Sequence, residues 1–288
     1  MSTYLFPGQG SQLKGMGRTL FDEFPDLTDQ ADDVLGYSIK RLCLDDPYAY
    51  LSRTQYTQPA LYVVNALSYL SKIAETGKKP DFVAGHSLGE YNALFAAGAF
   101  DFKTGLELVQ KRGEFMSAVS GGAMAAVIGL KAEQVEEVLE RNQLSSVDVA
   151  NYNTDTQIVI SGRKEDIEKA QPIFETNGSV QKFVLLNVSG AFHSRYMREV
   201  GEAFKMFLQS YTFQPLSIPV ISNVNAKPYK HERIAQGLSE QISSAVKWSE
   251  SIYYLLEQGE TDFEEIGPGG VLTGMLFKIR RDRETAGL

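Results

Sequence analysis

A chain of 288 residues, 43% hydrophobic and 22% charged, has enough apolar material for one large domain or two of moderate size. A formal net charge of −8 argues against a nucleic-acid surface, which needs clustered Lys and Arg. One cysteine, Cys43, excludes an internal disulfide framework, and three histidines without HExxH or paired CxxC leave little material for a metal site.

Thr3 to Phe6 (TYLF) is strand-like and is broken by Pro7-Gly8-Gln9-Gly10. Thr57-Gln58-Pro59 opens a long helix, with Thr57 as cap, Pro59 in the first turn and Gly77 as the stop. Phe82-Val83-Ala84 is a second buried strand. Beyond it Tyr91, Leu94, Phe95 and Gly98 recur at helical spacing. The middle changes rhythm: strand 123–130, helix 132–141, strand 147–150, strand 157–161, helix 164–176 and strand 180–188. That βαββαβ order is ferredoxin-like. The expected fold is α/β, a parallel-sheet large domain of residues 1–122 and 189–288 with a small domain, 123–188, inserted. Ile218 to Ser222 reads as a further strand, followed by the turn-rich Gly267-Pro268-Gly269-Gly270. Lys278, Arg280, Arg281 and Arg283 make one basic concentration, either a water-facing helical end favoured by the dipole or a landing patch for an acidic partner. No apolar run approaches the ~20 residues of a spanning helix, and no basic n-region precedes the first strand, so a cytoplasmic protein without membrane contact is expected.

Gly85-His86-Ser87-Leu88-Gly89 is a Gly-x-Ser-x-Gly turn between a strand and a helix, the pattern of a nucleophile elbow. The turn demands small flanking residues and presents the serine hydroxyl at the positive end of the following helix. A serine needs a base. His86 adjoins Ser87 on the turn, where neighbouring side chains diverge, and His231 lies in the polar stretch KPYKHER. His193, in NVSGAFHS after an apolar strand, remains by elimination. No acidic third member announces itself. FPGQGSQ (Phe6 to Gln12) fits neither phosphate-loop pattern, because GxxxxGK[ST] is absent and Leu13 stands where GxGxxG needs glycine.

Taken together, FPGQGSQ, TQPAL, GHSLGE, QKRGEFM, NYN, GAFHS and IGPGGVLTG resemble the malonyl-CoA:acyl carrier protein transacylase family. LGYSIKRLC and the tracts around TQPAL and GHSLGE look most like the stand-alone acyltransferases that serve modular polyketide synthases in trans. The resemblance implies a hydrolase-like large domain with a ferredoxin-like insert. It implies that Ser87 carries a malonyl group from malonyl-CoA to the phosphopantetheine thiol of an acyl carrier protein, with His193 as acid and base and no bound cofactor. It further implies an oxyanion hole from the amides of Gln9 and Leu88, and a backbone carbonyl, matched to Lys247, orienting His193. Arg112 in QKRGEFM stands where malonyl-transferring members have an arginine, whose guanidinium can hold a carboxylate through two hydrogen bonds. Gln58, His86, Asn151 and Asn153 match positions lining the pocket, and Phe192 would crowd an α-methyl group. A monomer suffices for this chemistry. The alternatives are a housekeeping fatty-acid transacylase, an acyl hydrolase on the same fold, and a docking module without turnover.

Overall fold

The computed structural model describes residues 2–285; Met1 and residues 286–288, at the outer ends of the expected domain ranges, lie outside them. In chain order the strands are β1 (Ser2–Phe6), β2 (Phe82–Gly85), β3 (Gly122–Ile128), β4 (Asp148–Thr154), β5 (Gln157–Arg163), β6 (Lys182–Leu185), β7 (Val220–Ile221) and β8 (Asp262–Glu265). They form two sheets. One is wholly parallel, in the order β7-β2-β1-β8, and the other is antiparallel, in the order β4-β5-β3-β6.

β1 and β2 are short and almost wholly buried, the signature of parallel strands covered on both faces. The helix Thr54–Thr76 is buried nearly all round through its middle, and Gly77 ends it at φ +64°. This helix starts three residues earlier than its sequence predicts. The Thr57 hydroxyl donates to the carbonyls of Leu51 (2.7 Å) and Arg53 (2.9 Å) from inside the first turn rather than capping it. Pro59 is therefore interior, and its missing N–H leaves the Gln55 carbonyl without its usual intrahelical donor.

The middle segment follows the expected strand and helix order, its helices running Ala132–Arg141 and Lys164–Glu175. Leu130, Val135, Leu139, Ile158, Ile160, Ile167 and Phe174 form its own apolar core. The predicted strand 218–222 shrinks to two residues, since Pro219 has no N–H to give a ladder.

The antiparallel sheet is tied to Val246, which packs against Leu5, Ala84 and Ile221 of the parallel one. Tyr152 N donates to Val246 O and Val246 N to Ala150 O, both at 2.9 Å. Arg195, two residues after His193, binds Asp148 of β4 through its backbone N and its Nε, each at 2.8 Å. Of the C-terminal basic residues, Arg280 donates to Thr261 O and packs over the Phe263 ring, and Arg281 pairs with Asp282. Among the described residues no helix is long and apolar enough to cross a membrane.

Candidate active site

β2 ends at Gly85 and a helix begins at Gly89, so three residues make the whole turn. Ser87 sits at its apex with φ +49°, in the left-handed region that costs a non-glycine residue about 1–3 kcal/mol. Such a turn closes only without side chains at its shoulders. A Cβ on Gly85 would lie 2.0 Å from the carbonyl of Gly89, and one on Gly89 would lie 2.0 Å from Phe6 O at the end of β1. Both obstacles are backbone. Gly89→Ala is therefore expected to push β1 off the turn and destabilise the fold by at least the ~1–3 kcal/mol typical of overpacking, as a lowered Tm in calorimetry.

Ser87 Oγ is 2.8 Å from His193 Nε2, and His193 Nδ1 is 2.8 Å from a main-chain carbonyl oxygen. A carbonyl can only accept, so Nδ1 carries the proton and Nε2 is left as acceptor for the hydroxyl. Burial first, and then the Arg112 cation, hold the imidazole down to about 3. It is thus neutral, with the Nε2 lone pair turned to the Ser87 hydroxyl.

The carbonyl is that of Gln241, which corrects the assignment to Lys247. Lys247 is the N-cap of the helix Trp248–Glu257, and its carbonyl turns into that helix to accept from Ser251 N (3.0 Å) and Ser251 Oγ (2.8 Å).

Arg112, on the helix Phe102–Ser117, is only 1% exposed. Its Nη1 donates to Gln58 Oε1 (2.7 Å), and its Nη2 to Gln241 Oε1 (2.9 Å) and Ser87 Oγ (3.0 Å). These partners are all neutral. Nε finds no acceptor among the described residues, and the guanidinium lies 5.5 Å from the Tyr91 ring centroid. A buried cation without a contacting anion is an anion-binding group in waiting.

The loop after β1 meets the serine turn directly. A Cβ on Gly8 would stand 2.3 Å from His86 O and 3.6 Å from Leu88 N. The backbone N–H groups of Gln9 and Leu88 have no protein acceptor among the described residues. His86 turns away from Ser87: its Nε2 meets Asn153 Oδ1 at 2.8 Å, with Asn151 Nδ2 at 3.5 Å and the Trp248 ring nearby. Gln9, Gln58, Ser87, Arg112, Phe192 and His193 share a cavity of about 210 Å³ with His86, Asn151 and Asn153, which the antiparallel sheet closes through Met124, Ala126 and Val159. Lys247 does not line it.

Four supporting residues escaped the sequence reading. Asn223 Oδ1 accepts the Ser87 N–H (2.7 Å) while its Nδ2 donates to Gly85 O (2.7 Å), clamping the strained turn from both sides. Gln241, Glu90 and Tyr229 complete a buried hydrogen-bonded group behind it. Glu90 lies inside the quoted GHSLGE, but an acid in a first helical turn is ordinary, and nothing local marks it as buried.

Residues 3–285 match the family model described as acyl transferase domain. The polyketide biosynthesis malonyl CoA-acyl carrier protein transacylase PksC of Bacillus subtilis is 63% identical over 284 residues, covering 99% of each chain. A malonyl CoA-acyl carrier protein transacylase of Burkholderia pseudomallei superposes with a TM-score of 0.95 at 54% identity, covering 98% of each chain. A type II PKS acyl-carrier protein in complex with its malonyl-transacylase, PlMCAT:AntF, offers a further likeness, with a TM-score of 0.92, 36% identity and 97% of this chain and 93% of that one covered.

Proposed function

Because the chain belongs to the acyl transferase family, we propose that it moves a malonyl group from malonyl-CoA, through an ester on Ser87, to the phosphopantetheine thiol of an acyl carrier protein in polyketide biosynthesis. The observation that carries the chemistry is a strained serine within 2.8 Å of a neutral imidazole and 3.0 Å of a buried guanidinium whose contacts are all uncharged. The 63% identity to a polyketide-pathway transacylase supports the choice of pathway.

In the first half-reaction Ser87 Oγ attacks the thioester carbonyl as its proton passes to His193 Nε2. The tetrahedral oxygen takes the charge, and the amides of Gln9 and Leu88 are its donors. Collapse breaks the C–S bond, and the proton on His193 goes to the departing coenzyme A thiolate. The second half runs the same steps in reverse with the carrier thiol as nucleophile, regenerating the Ser87 hydroxyl. Gln241 O keeps the imidazole in the required tautomer throughout.

Arg112 takes the distal carboxylate of the malonyl group through parallel hydrogen bonds. An acetyl group offers nothing to pair with this charge, and a site built for a polar partner rejects the analogue lacking it by roughly 10⁴–10⁵. Phe192 narrows the cavity near the α-carbon. The parallel-sheet unit is of the hydrolase-like type, built from 1–122 and 189–288, and the inserted unit 123–188 is of the ferredoxin-like type; the strand order β4-β5-β3-β6 supports the latter.

The test is intact-protein mass spectrometry after exposure to a panel of acyl-CoAs, followed by addition of carrier protein. A malonyl adduct is expected on Ser87 of the wild type, absent from Ser87→Ala, and discharged onto the carrier. Discharge as free malonate at one rate with and without carrier would make the protein a hydrolase instead. No adduct from malonyl-CoA would remove the transferase reading.

A further inference from the structure

Behind the reacting groups lies a buried acid that the steps above do not use. Glu90 is fully buried, three residues after Ser87 on the helix Gly89–Ala96. Three donors converge on its carboxylate. Oε1 accepts from the Tyr229 hydroxyl, and Oε2 accepts from Gln241 Nε2 at 2.7 Å and from Asn223 N at 3.3 Å. Two of these neighbours hold part of the site. Asn223 clamps the Ser87 turn, and the Gln241 main chain orients His193. The Gln241 side chain bridges two buried charges, with its NH₂ on Glu90 and Ser87 O (2.8 Å) and its oxygen on Arg112 (2.9 Å).

An amide has one donor end and one acceptor end, so its direction between an anion and a cation is not free. The Glu90 carboxylate takes the NH₂, and the oxygen is thereby turned to the guanidinium. Were the amide reversed, its NH₂ would oppose the Arg112 donors.

We propose that Glu90 is a positioning residue for acyl transfer: as the anion of a buried Glu90–Gln241–Arg112 chain, it aims the guanidinium at the acyl carboxylate and, through Asn223, steadies the Ser87 turn. The proposal rests on the transferase reading and deepens it. It requires the ionised form, since protonation removes the charge that opposes Arg112 across the amide and reverses the bond with Tyr229, whose hydroxyl can accept as well as donate.

Burial pushes Glu90 up to about 7, against the hydrogen bonds from Tyr229, Gln241 and Asn223 and the charge of Arg112. The titratable or charged groups facing it are Tyr229 from the loop after β7, Arg112 from the helix Phe102–Ser117, and Tyr91 beside it on its own helix. Malonyl loading should therefore rise with pH through a limb near neutrality, distinct from the far lower range of His193. An incoming acyl carboxylate contacts Arg112 directly while Glu90 stands one amide away, so attraction to the guanidinium outweighs repulsion between the two anions.

The experiment measures Ser87 acylation by malonyl-CoA and acetyl-CoA in rapid-quench mass spectrometry over about pH 5 to 9, on the full chain and two variants. In Glu90→Gln the near-neutral limb should vanish and the malonyl-over-acetyl preference should fall about tenfold or more. In Tyr229→Phe, which removes one donor to the carboxylate and keeps the shape, the limb should move to higher pH. Calorimetry establishes that each variant is folded; should Glu90→Gln fail to fold, Tyr229→Phe decides. An unmoved limb in folded Tyr229→Phe, or an unchanged preference in folded Glu90→Gln, overturns the role of Glu90. A wild type that malonyl-CoA does not acylate overturns the transferase reading itself.

Discussion

Replacing Arg112 by alanine is expected to reduce malonyl loading of Ser87 by about two to four orders of magnitude while sparing acetyl loading. The estimate follows from the burial of the guanidinium: losing one partner of a buried ion pair costs about 3–5 kcal/mol, and 1.36 kcal/mol is tenfold. Water cannot make up the difference, because the group is 1% exposed and its partners Gln58 and Gln241 would be left facing a void. Acetyl-CoA never had a carboxylate to lose, so its loading should stay level or rise as the uncompensated cation disappears. The ratio of kcat/KM values for the two donors is the measurement. Arg112→Lys should fall between, since an ammonium keeps the charge but not the planar fork. A malonyl preference that survives Arg112→Ala would make the arginine a structural tie between helices.

Removing the imidazole is the second large effect. His193→Ala should slow both acylation of Ser87 and its discharge to the carrier by ~10²–10⁴, the usual worth of general acid–base catalysis. His86 offers no rescue, because Asn153 holds its ring away from the hydroxyl. Wild-type stability carries a second signature of His193. Its folded value lies at about 3, below the usual 6.5, so as pH falls the unfolded chain binds the proton first. Stability should therefore decline as pH falls from 6.5 towards 3, and His193→Gln should flatten that slope in acid titrations followed by circular dichroism. An unchanged slope would mean that His193 is accessible to protonation in the folded state.

The elbow was legible because its cause is local. Gly85, Ser87 and Gly89 lie within five residues, and a Cβ on Gly85 would already meet the Gly89 carbonyl within the turn itself. The helix Ala132–Arg141 was equally plain, for its amphipathic spacing repeats within each turn. The differences lie where residue type does not say which way a polar group turns. The Thr57 hydroxyl resembles a cap in sequence, but it bonds back to Leu51 O and Arg53 O from inside the first turn, so the helix begins earlier. The resemblance points to the Lys247 carbonyl for His193, six residues from the Gln241 carbonyl that holds it, because a motif match does not say which carbonyl of a winding segment turns inward and which feeds the next helix.

Legible in the chain alone were the strand–turn–helix at Ser87 and the alternation of strand and helix, since sterics and burial periodicity act between near neighbours; His193, reached by elimination, meets Ser87 across 106 positions. It takes the folded chain to bring Gln241 to His193 and Arg112 together, to set Asn223 against a serine 136 positions away, and to bury Glu90 behind them. Those pairings exist because two packed sheets and their helices bring distant segments to one point, and a single hydrogen bond across such a span leaves no periodic trace in the chain.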